Sequence, residues 1–581
     1  MPSPSTAPAP VLTLHEVSHT WPDATPALAP TSLSLHEGRT GLVGANGAGK
    51  TTLLRLITGE LTPTTGTITR TGPIGVLPQH VTTGRPGAQP GTLASAMGID
   101  RVLDALTALE GGDASEAVFE AIGDAWDIAA RAEAALAHAG LASLLTASPA
   151  GFERPLATMS GGEIMRAALA GLTLAPATLT LLDEPTNNLD REAREALYDQ
   201  LRAWRSGSLL VVSHDVDLLE IMDHTAELRA PHRRGSTLTE GARLRVFSGG
   251  YSTYREAVDA EQAAAVARLQ AAEQDAARAK KERIDTHRKR QQAEARGKRS
   301  RASAGLPRIV LNAMAGGAEN TTARAKALHE GREAKAHEAV QEADALVRRD
   351  ARLRITLEHT TVPAGREVLR LSVPPEQDVV VRGPERIALR GPNGSGKTTL
   401  LFAIARGNAP ASPADGPVSH GFGTVSRVAE VHLVPQTITF ADESASILAT
   451  VAEAAPQRTE NDLRAELAKF LFTTDTVHRS VGALSGGERY RVALARVLLA
   501  EPAPQLLLID EPTNNLDLDS VQQVQDALVA FRGALIVVSH DEHFLDALNL
   551  TRHWSIRSGL LSDEGAATRA ASAHPRRSGP R

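Results

Sequence analysis

The segment Arg39-Thr-Gly-Leu-Val-Gly-Ala-Asn-Gly-Ala-Gly-Lys-Thr51 decides the fold. A short apolar run leads into a glycine-rich loop ending in Lys-Thr, and Arg386-Ile-Ala-Leu-Arg-Gly-Pro-Asn-Gly-Ser-Gly-Lys-Thr398 repeats this arrangement. A GxxxxGK[ST] loop between a strand and a helix wraps backbone N–H groups around phosphate oxygens at the positive end of that helix. The chain is therefore expected to contain two phosphate-binding domains.

Continuous apolar runs follow each loop and predict the rest of each domain. They lack the alternation of a half-exposed strand, which indicates strands of a parallel sheet covered on both faces. We expect such strands over 178–182, 209–212, 506–509 and 534–538, and helices over 51–58 and 398–406. Each repeat is thus predicted to be an α/β P-loop NTPase domain.

Motif spacing and composition divide the chain. We expect a disordered N-terminus over 1–10, a first domain over 11–254, a second over 353–560 and a disordered tail over 561–581. The segment between Gln79 and Ser160 is longer than that between Gln436 and Ser485, which places an Ala/Glu/Asp-rich helical insertion at about 92–140. Residues 255–352 read as two long helices joined by a bend at about 296–320.

Composition excludes several classes of protein. With 581 residues the chain is too long for one core. It has no cysteine, which excludes disulfides, iron–sulfur clusters and thiolate zinc sites. No apolar run approaches the roughly 20 residues of a membrane helix, and the N-terminus lacks the features of a signal peptide. The expectation is a cytoplasmic protein without membrane insertion.

The loops themselves supply the candidate ATP ligands. The lysines would bind the β- and γ-phosphates, and the first threonine of each loop, Thr51 or Thr398, would ligate Mg²⁺. The predicted ATP-binding residues here are Gly44, Asn46, Gly47, Gly49, Lys50, Thr51 and Thr52, and Gly391, Asn393, Gly394, Gly396, Lys397, Thr398 and Thr399.

An Asp-Glu pair ends a predicted strand in each repeat, within Asp-Glu-Pro-Thr-Asn-Asn-Leu-Asp. Asp183 and Asp510 can reach Mg²⁺ through its water shell. Glu184 and Glu511 are suited to orient or deprotonate the attacking water. Since both pairs are intact, we expect both sites to hydrolyse ATP.

Met159-Ser-Gly-Gly-Glu163 and Leu484-Ser-Gly-Gly-Glu488 resemble the signature of ATP-binding cassette (ABC) ATPases. The resemblance implies that two domains pair head to tail, so that each signature meets the γ-phosphate held by the other P-loop. It also implies a Q-loop glutamine on the metal, a switch histidine and a D-loop aspartate in each repeat. The residues implied are Ser160, Gly161, Gly162, Glu163, Ser485, Gly486, Gly487 and Glu488 for ATP, Gln79 and Gln436 for metal, His214 and His540 for catalysis, and Asp190 and Asp517 as D-loops.

The family stacks an aromatic ring on adenine, and the two repeats differ at that point. Trp21 is placed to stack in the first repeat, although it could equally be a surface loop residue. The matching stretch of the second repeat, 358–366, has no aromatic residue. Base affinity at the second site is therefore in question.

Tandem cassettes, a long helical linker and no membrane segment resemble the ABC-F family over nearly the whole chain. The implied architecture is two ABC-type P-loop domains joined by an extended antiparallel α-helical coiled-coil linker. The implied partner is the ribosome, its rRNA and P-site tRNA, with the insertion as the family's ribosome-contacting arm. Such a protein either protects ribosomes from antibiotics or regulates translation. The two cassettes would pair within one monomer, without a dedicated permease.

The linker sequence fits that implication. Small apolar residues recur at three- and four-residue steps in both predicted helices, the seam of a thin coiled coil. Lys and Arg crowd the approach to the bend, which suits RNA phosphates. The alternative is a solvated coiled-coil surface. The RNA-contacting candidates are Arg288, Lys289, Arg290, Arg296, Lys298, Arg299 and Arg301.

A transporter motor is the alternative function, because some importer ATPases also fuse two cassettes and work with separate membrane subunits. Those proteins lack a long basic coiled coil, so the ribosomal reading is preferred.

Overall fold

The computed structural model describes most of the chain. The described residues are 10–77, 91–146, 151–175, 177–187, 189–229, 241–303, 331–344, 346–347, 353, 355–373, 377–407, 425–427, 430–473, 475–514, 516–557 and 560–564. The predicted disordered ends therefore lie almost wholly outside the described residues. The chain divides into two compact units, Met1–Tyr251 with Ala351–Arg581, and Ser252–Asp350.

The first domain is built on a six-stranded sheet in the order β5-β6-β7-β3-β8-β9. All neighbours are parallel except the edge strand β9, which is antiparallel to β8. A second, antiparallel sheet has the order β2-β1-β4. The strands are β1 Leu12–Thr20, β2 Pro26–Leu35, β3 Arg39–Val43, β4 Thr65–Arg70, β5 Ile74–Leu77, β6 Leu179–Asp183, β7 Ser208–Val212, β8 His224–Arg229 and β9 Arg243–Ser248.

Helices cover the larger sheet, which explains why its central strands are apolar throughout. Every residue of β7 is buried, as is every residue of β6 before its terminal aspartate. Separate apolar clusters lie on the two faces, one with Leu181 and Leu210 and the other with Leu182 and Leu209. The helices are α1 Lys50–Thr58, α2 Leu93–Met97, α3 Asp100–Glu110, α4 Glu116–Ile122, α5 Ile128–His138, α6 Ser143–Thr146, α7 Gly161–Leu172, α8 Arg191–Arg202 and α9 Val216–Glu220.

The second domain repeats this architecture. Its larger sheet has the order β14-β15-β16-β12-β17-β18, with β18 antiparallel at the edge, and its smaller sheet the order β11-β10-β13. The strands are β10 Glu367–Val373, β11 Gln377–Arg382, β12 Arg386–Arg390, β13 Val425–Arg427, β14 Val431–Val434, β15 Leu506–Asp510, β16 Ala534–Val538, β17 Arg552–Arg557 and β18 Leu560–Asp563. The helices are α12 Lys397–Arg406, α13 Ile447–Ala452, α14 Glu460–Lys469, α15 Gly486–Leu498, α16 Leu518–Ala530 and α17 Glu542–Asp546.

Three of the nine helices of the first domain have no counterpart among the six described helices of the second. Two of them, α3 and α4, pack together through Ala105, Val118 and Ile122. Their position falls inside the helical insertion predicted at 92–140. Phe119 and Trp126 are exposed beside this hairpin, with ring centroids 6.3 Å apart.

The Ser252–Asp350 unit is helical where it is described. Helix α10 spans Tyr251–Ser303, and a second helix, α11, spans 331–344. Arg283 of α10 pairs with Glu333 of α11 at 3.2 Å, and Ala265 and Ala343 are buried. The expected start of the bend near residue 296 was wrong, because α10 continues through Gly297 to Ser303. One glycine costs a helix only about 1 kcal/mol.

The prediction of two α/β P-loop domains is confirmed. The antiparallel coiled coil stays a prediction, although the Arg283–Glu333 pair is of the kind that it would contain.

Candidate nucleotide sites at the domain boundary

The two glycine loops share one backbone shape. Each closes on a glycine in the left-handed region, Gly49 at φ 99° and Gly396 at φ 100°, where another residue would be strained. These glycines cap α1 and α12, and neither helix receives a side-chain cap. The first N–H groups of both helices are thus left for a ligand, and phosphate is the ligand that such an end favours.

The loop lysines are folded into their own loops. Lys50 and Lys397 are nine-tenths buried, and their Nζ atoms donate to the carbonyls of Gly44 at 2.5 Å and Gly391 at 2.7 Å. Burial lowers the pKa of both lysines, and the carboxylates nearby oppose that effect. A buried ammonium at the N-terminus of a helix is a site for a polyanion.

The strand-end aspartates lie where a hydrated cation would be held. Asp510 is 1% exposed, and its carboxylate oxygens accept no well-formed hydrogen bond from the described residues. Burial raises the pKa of Asp510, while the nearby Thr398 hydroxyl and Lys397 ammonium lower it. A hydroxyl beside an unsatisfied carboxylate fits Mg²⁺, which takes oxygen ligands and keeps several waters. Asp183 ends β6 at the equivalent position.

The next residue in each domain has an unusual backbone. Glu184 has φ 50° and Glu511 has φ 45°, a conformation that side-chain-bearing residues seldom adopt and that clusters at active sites. Backbone N–H groups of both glutamates donate to the adjacent parallel strand, at Val212 O and Val538 O, each at 2.9 Å. The turn therefore carries each carboxyl group past the end of its strand.

Each glutamate faces a switch histidine. Oε1 of Glu184 lies 3.2 Å from Nε2 of His214, and Oε1 of Glu511 lies 3.3 Å from Nε2 of His540. Burial raises the pKa of Glu511 to about 7 and lowers that of His540 to about 4, and it shifts Glu184 and His214 in the same directions. A carboxyl group that titrates near neutrality can accept a proton from water, and a neutral imidazole can orient the participants.

The signature serines begin helices. Ser160 caps α7 and Ser485 caps α15, and in both cases a glutamate three residues later completes a capping box. Glu163 accepts from Ser160 N at 2.7 Å, and Glu488 accepts from Ser485 N at 2.9 Å. Each signature thus presents a helix N-terminus, which favours an anion.

The D-loop aspartates connect the two domains. One oxygen of Asp517 caps α16, and the other accepts from Asn46 N in the first P-loop at 2.6 Å. Asp190 caps α8 and accepts from Asn393 N in the second P-loop at 3.3 Å. Each nucleotide loop is therefore completed by a residue of the opposite domain, as a head-to-tail pair requires.

Ion pairs at the same boundary were missed by sequence reasoning. Arg191 contacts Glu542 at 3.1 Å, Glu542 also contacts Arg390 at 2.6 Å, and His543 contacts Asp217 at 3.0 Å. The local sequence offers one signal for them, because Asp217 and His543 occupy the same offset after the two switch histidines.

The remaining predicted residues lie apart from this core or outside the described residues. Trp21 follows β1 and meets His19 edge-on at 4.9 Å. Gln436 is exposed after β14, and Gln79 lies outside the described residues. Arg288, Lys289 and Arg296 are exposed on α10. The side chains of Arg290, Lys298, Arg299 and Arg301 are not among those described.

Comparison with known proteins identifies the class. The family model described as "ABC transporter" matches residues 28–187 and 378–514. No helix in the described part of the chain has the length and apolar composition that crossing a membrane demands. The chain belongs to the ATP-binding cassette family, whose domains bind nucleotide.

Relatives narrow the family. The chain is 31% identical to the tylosin resistance ATP-binding protein TlrC of Streptomyces fradiae, over 96% of this chain and 99% of TlrC. It is 30% identical to the energy-dependent translational throttle protein EttA of Mycobacterium tuberculosis, over 89% of this chain and 86% of EttA. This chain therefore belongs to the ABC-F proteins, as its motifs and linker predicted.

Solved structures support the fold. The RNase-L inhibitor aligns with TM-score 0.55 at 19% identity, over 96% of this chain and 93% of its own. A model of ribosome-bound archaeal Pelota and ABCE1 aligns with the same TM-score at 20% identity, over 96% of this chain and 80% of the aligned chain. At this identity the likeness shows the tandem fold alone.

Proposed function

We propose that the chain hydrolyses ATP at two composite sites and uses ATP-driven closure of its two domains to act on the ribosome. The observation that carries the proposal is the reciprocal D-loop contact, Asp517 to Asn46 and Asp190 to Asn393. Because each contact joins one domain to the other's P-loop, nucleotide in the loop and pairing of the domains are coupled.

One site would combine Lys50, Glu184 and His214 with Ser485, and the other Lys397, Glu511 and His540 with Ser160. Mg²⁺, held by the loop threonine, the strand-end aspartate and the Q-loop glutamine, would neutralise phosphate charge. The remaining steps belong to the chain itself. The lysine and N–H groups fix the phosphates, the signature serine closes on the γ-phosphate, and the glutamate takes a proton from the attacking water.

The ribosome is proposed as the target on the strength of the relatives. TlrC is named for tylosin resistance and EttA for throttling translation. The basic residues of α10, of which Arg288, Lys289 and Arg296 are exposed, would meet rRNA or P-site tRNA. Resistance is the role proposed first, because TlrC aligns over nearly its whole length. The protein is proposed to act in the cytoplasm as a monomer whose two domains pair with each other.

Ribosome co-sedimentation tests the proposal. The Glu184→Gln/Glu511→Gln variant, which should bind ATP without hydrolysing it, is expected to pellet with 70S ribosomes when ATP is present and to stay in the supernatant without it. Lys50→Ala/Lys397→Ala is the matched control, since it keeps the linker and loses the phosphate ligands.

A hydrolysis-deficient protein that closes on ATP and ignores ribosomes would contradict a ribosomal role and turn the search to a membrane permease. If trapping is observed, translation in vitro with and without tylosin separates the two roles. Rescue of drug-inhibited synthesis indicates protection, and inhibition without drug indicates regulation.

A further inference from the structure

Arg194, on α8, contacts two loops of the first domain. Its side chain is 14% exposed. Nε donates to the carbonyl of Leu189 in its own D-loop at 3.2 Å, and Nη1 lies 3.5 Å from Oδ2 of Asp215. Both contacts lie within the first domain, so the guanidinium is held in place independently of the second domain.

Asp215 has a counterpart in the second domain. Asp215 and Asp541 each follow a switch histidine and cap the next helix, accepting from Leu218 N at 3.0 Å and from Phe544 N at 2.9 Å. The side chain of Asp215 is 7% exposed. The two aspartates and Arg194 line one cleft of about 380 Å³ at the boundary between the domains.

The charges around this cleft act on one another. Burial raises the pKa of Asp541, the charge of Asp215 raises it further, and Arg194 and His543 lower it. On the same helix as Arg194, the Tyr198 hydroxyl also donates to Oδ2 of Asp215 at 2.7 Å. Asp215 and Asp541 thus line one cleft from the two sides of the domain boundary, and Arg194, which contacts Asp215, lines the same cleft. Without a counter-charge, such a pair must separate or take up a proton.

The arrangement is one-sided. Asp190 and Asp517 are equivalent D-loop residues, so the residue of the second domain that corresponds to Arg194 is Val521. Because valine carries no charge, only the first domain has an arginine at this position. The charge of Arg194 also lowers the pKa of both Glu511 and His540, which places it near the site of the second P-loop.

We propose that Arg194 is a positioning residue for closure: it is the counter-charge that allows the switch-histidine loops of the two domains, with Asp215 and Asp541, to meet when ATP draws the domains together. The inference rests on the ATP-driven closure of the proposed function. The inference adds to that function a charged residue that only the first domain carries and that lies outside the nucleotide-binding motifs.

Closure can be measured directly because the chain has no cysteine. A dye pair on one engineered cysteine in each domain, in the Glu184→Gln/Glu511→Gln background, reports closure as ATP is added. Arg194→Met is expected to raise the ATP concentration at half-closure at least about tenfold, since losing one partner of a buried charge pair is costly. Arg194→Lys, which keeps the charge, is expected to stay within about threefold of the parent.

Charge removal on the opposite side should rescue the defect. Asp541→Asn keeps the helix cap, because asparagine caps as well as aspartate, and it removes one carboxylate. Arg194→Met/Asp541→Asn is therefore expected to return to within about threefold of the parent. Arg464→Met is the matched control, since Arg464 pairs locally with Glu460 on α14 and does not line this cleft.

Two results would overturn the inference. One is an ATP concentration at half-closure for Arg194→Met within about twofold of the parent. The other is a value for Arg194→Met/Asp541→Asn as high as that for Arg194→Met alone. Thermal unfolding without ATP checks that each variant is folded. If methionine unfolds the protein, Arg194→Gln carries the same test. A parent that does not close on ATP overturns the proposed function and this inference together, whereas a parent that closes isolates the failure to Arg194.

Discussion

At the scale of single residues, Glu184 and Glu511 show how the chain places its reacting groups. Both adopt positive φ, and both lie within 3.3 Å of the histidine that follows the neighbouring strand. Burial raises the pKa of both carboxyl groups. The strain and the burial coincide on the one residue of each motif that is proposed to handle a proton.

Replacing these glutamates should separate the two sites. Glu184→Gln or Glu511→Gln alone is expected to leave partial ATPase activity, and the double variant to lose about 10²–10⁴-fold, the usual contribution of a general base. Phosphate release at saturating ATP measures this. Glu192→Gln, an exposed position on α8, is the control. A double variant with normal turnover would remove both glutamates from the chemistry.

The His543–Asp217 pair predicts a pH dependence of closure. Partial burial lowers the pKa of His543, but the hydrogen bond and charge of Asp217 outweigh this and raise it above 6.5. Because the raised value belongs to the state in which the two domains are in contact, the pair favours domain pairing fully below about pH 6.5 and less as pH rises through the raised pKa. Both side chains are more than half exposed, so we expect less than about a threefold change in the ATP requirement between pH 6 and 8.

Asp217→Asn should flatten that dependence, and His478→Asn, at an exposed histidine of the second domain, should not. The measurement is the ATP concentration at half-closure between pH 6 and 8 for the parent and for both variants. Equal slopes for Asp217→Asn and the parent would show that the pair does not contribute.

The site residues differed in how far they could be predicted. The loop lysines, the Asp-Glu pairs and the switch histidines lie in short motifs whose spacing reflects their chemistry, so local sequence indicates them. Glu542 and Asp217 owe their contacts with Arg191 and His543 to the pairing of two distant domains. No periodicity or composition signal encodes such a contact.

At the scale of elements, the signature helices α7 and α15 begin with the same capping box. The apolar runs predicted β6, β7, β15 and β16 to within a residue or so, because a strand buried on both faces has few polar positions. Helix α10 was less predictable at Gly297, since a single glycine does not decide where a long helix ends.

Removing a signature cap should weaken the fold slightly. Ser485→Ala is expected to lower the free energy of unfolding by about 1 kcal/mol, and Ser485→Asn, which preserves a cap, by much less. Chemical denaturation without nucleotide measures the effect of the cap on the free energy of unfolding, apart from any contact with phosphate. Equal stability of the alanine variant and the parent would show that the box of Ser485 and Glu488 adds nothing in the absence of ATP.

At the scale of the whole molecule, catalysis and partner binding are proposed for different units. The nucleotide sites lie in the Met1–Tyr251 and Ala351–Arg581 unit, and the exposed basic residues of α10 lie in the Ser252–Asp350 unit. Substitutions in one unit should therefore leave the intrinsic property of the other intact.

Charge reversal in the linker tests that division. Arg288→Glu/Arg290→Glu/Arg299→Glu is expected to weaken ribosome binding and flatten its dependence on salt, because fewer phosphate counterions are released. ATPase activity without ribosomes should be unchanged. Arg278→Glu is the control, since Arg278 lies on α10 and pairs with Asp275. Unchanged binding and salt dependence in the triple variant would remove these arginines from the interface.

The contact between Asp217 and His543 joins the same structural position of two duplicated halves. If a protein were assembled from two copies of the first half, an acid would meet an acid there, and two copies of the second half would bring imidazole against imidazole. The two halves are thus complementary at this position. A protein with one half doubled would keep every catalytic motif of that half and lose the attraction at this one contact.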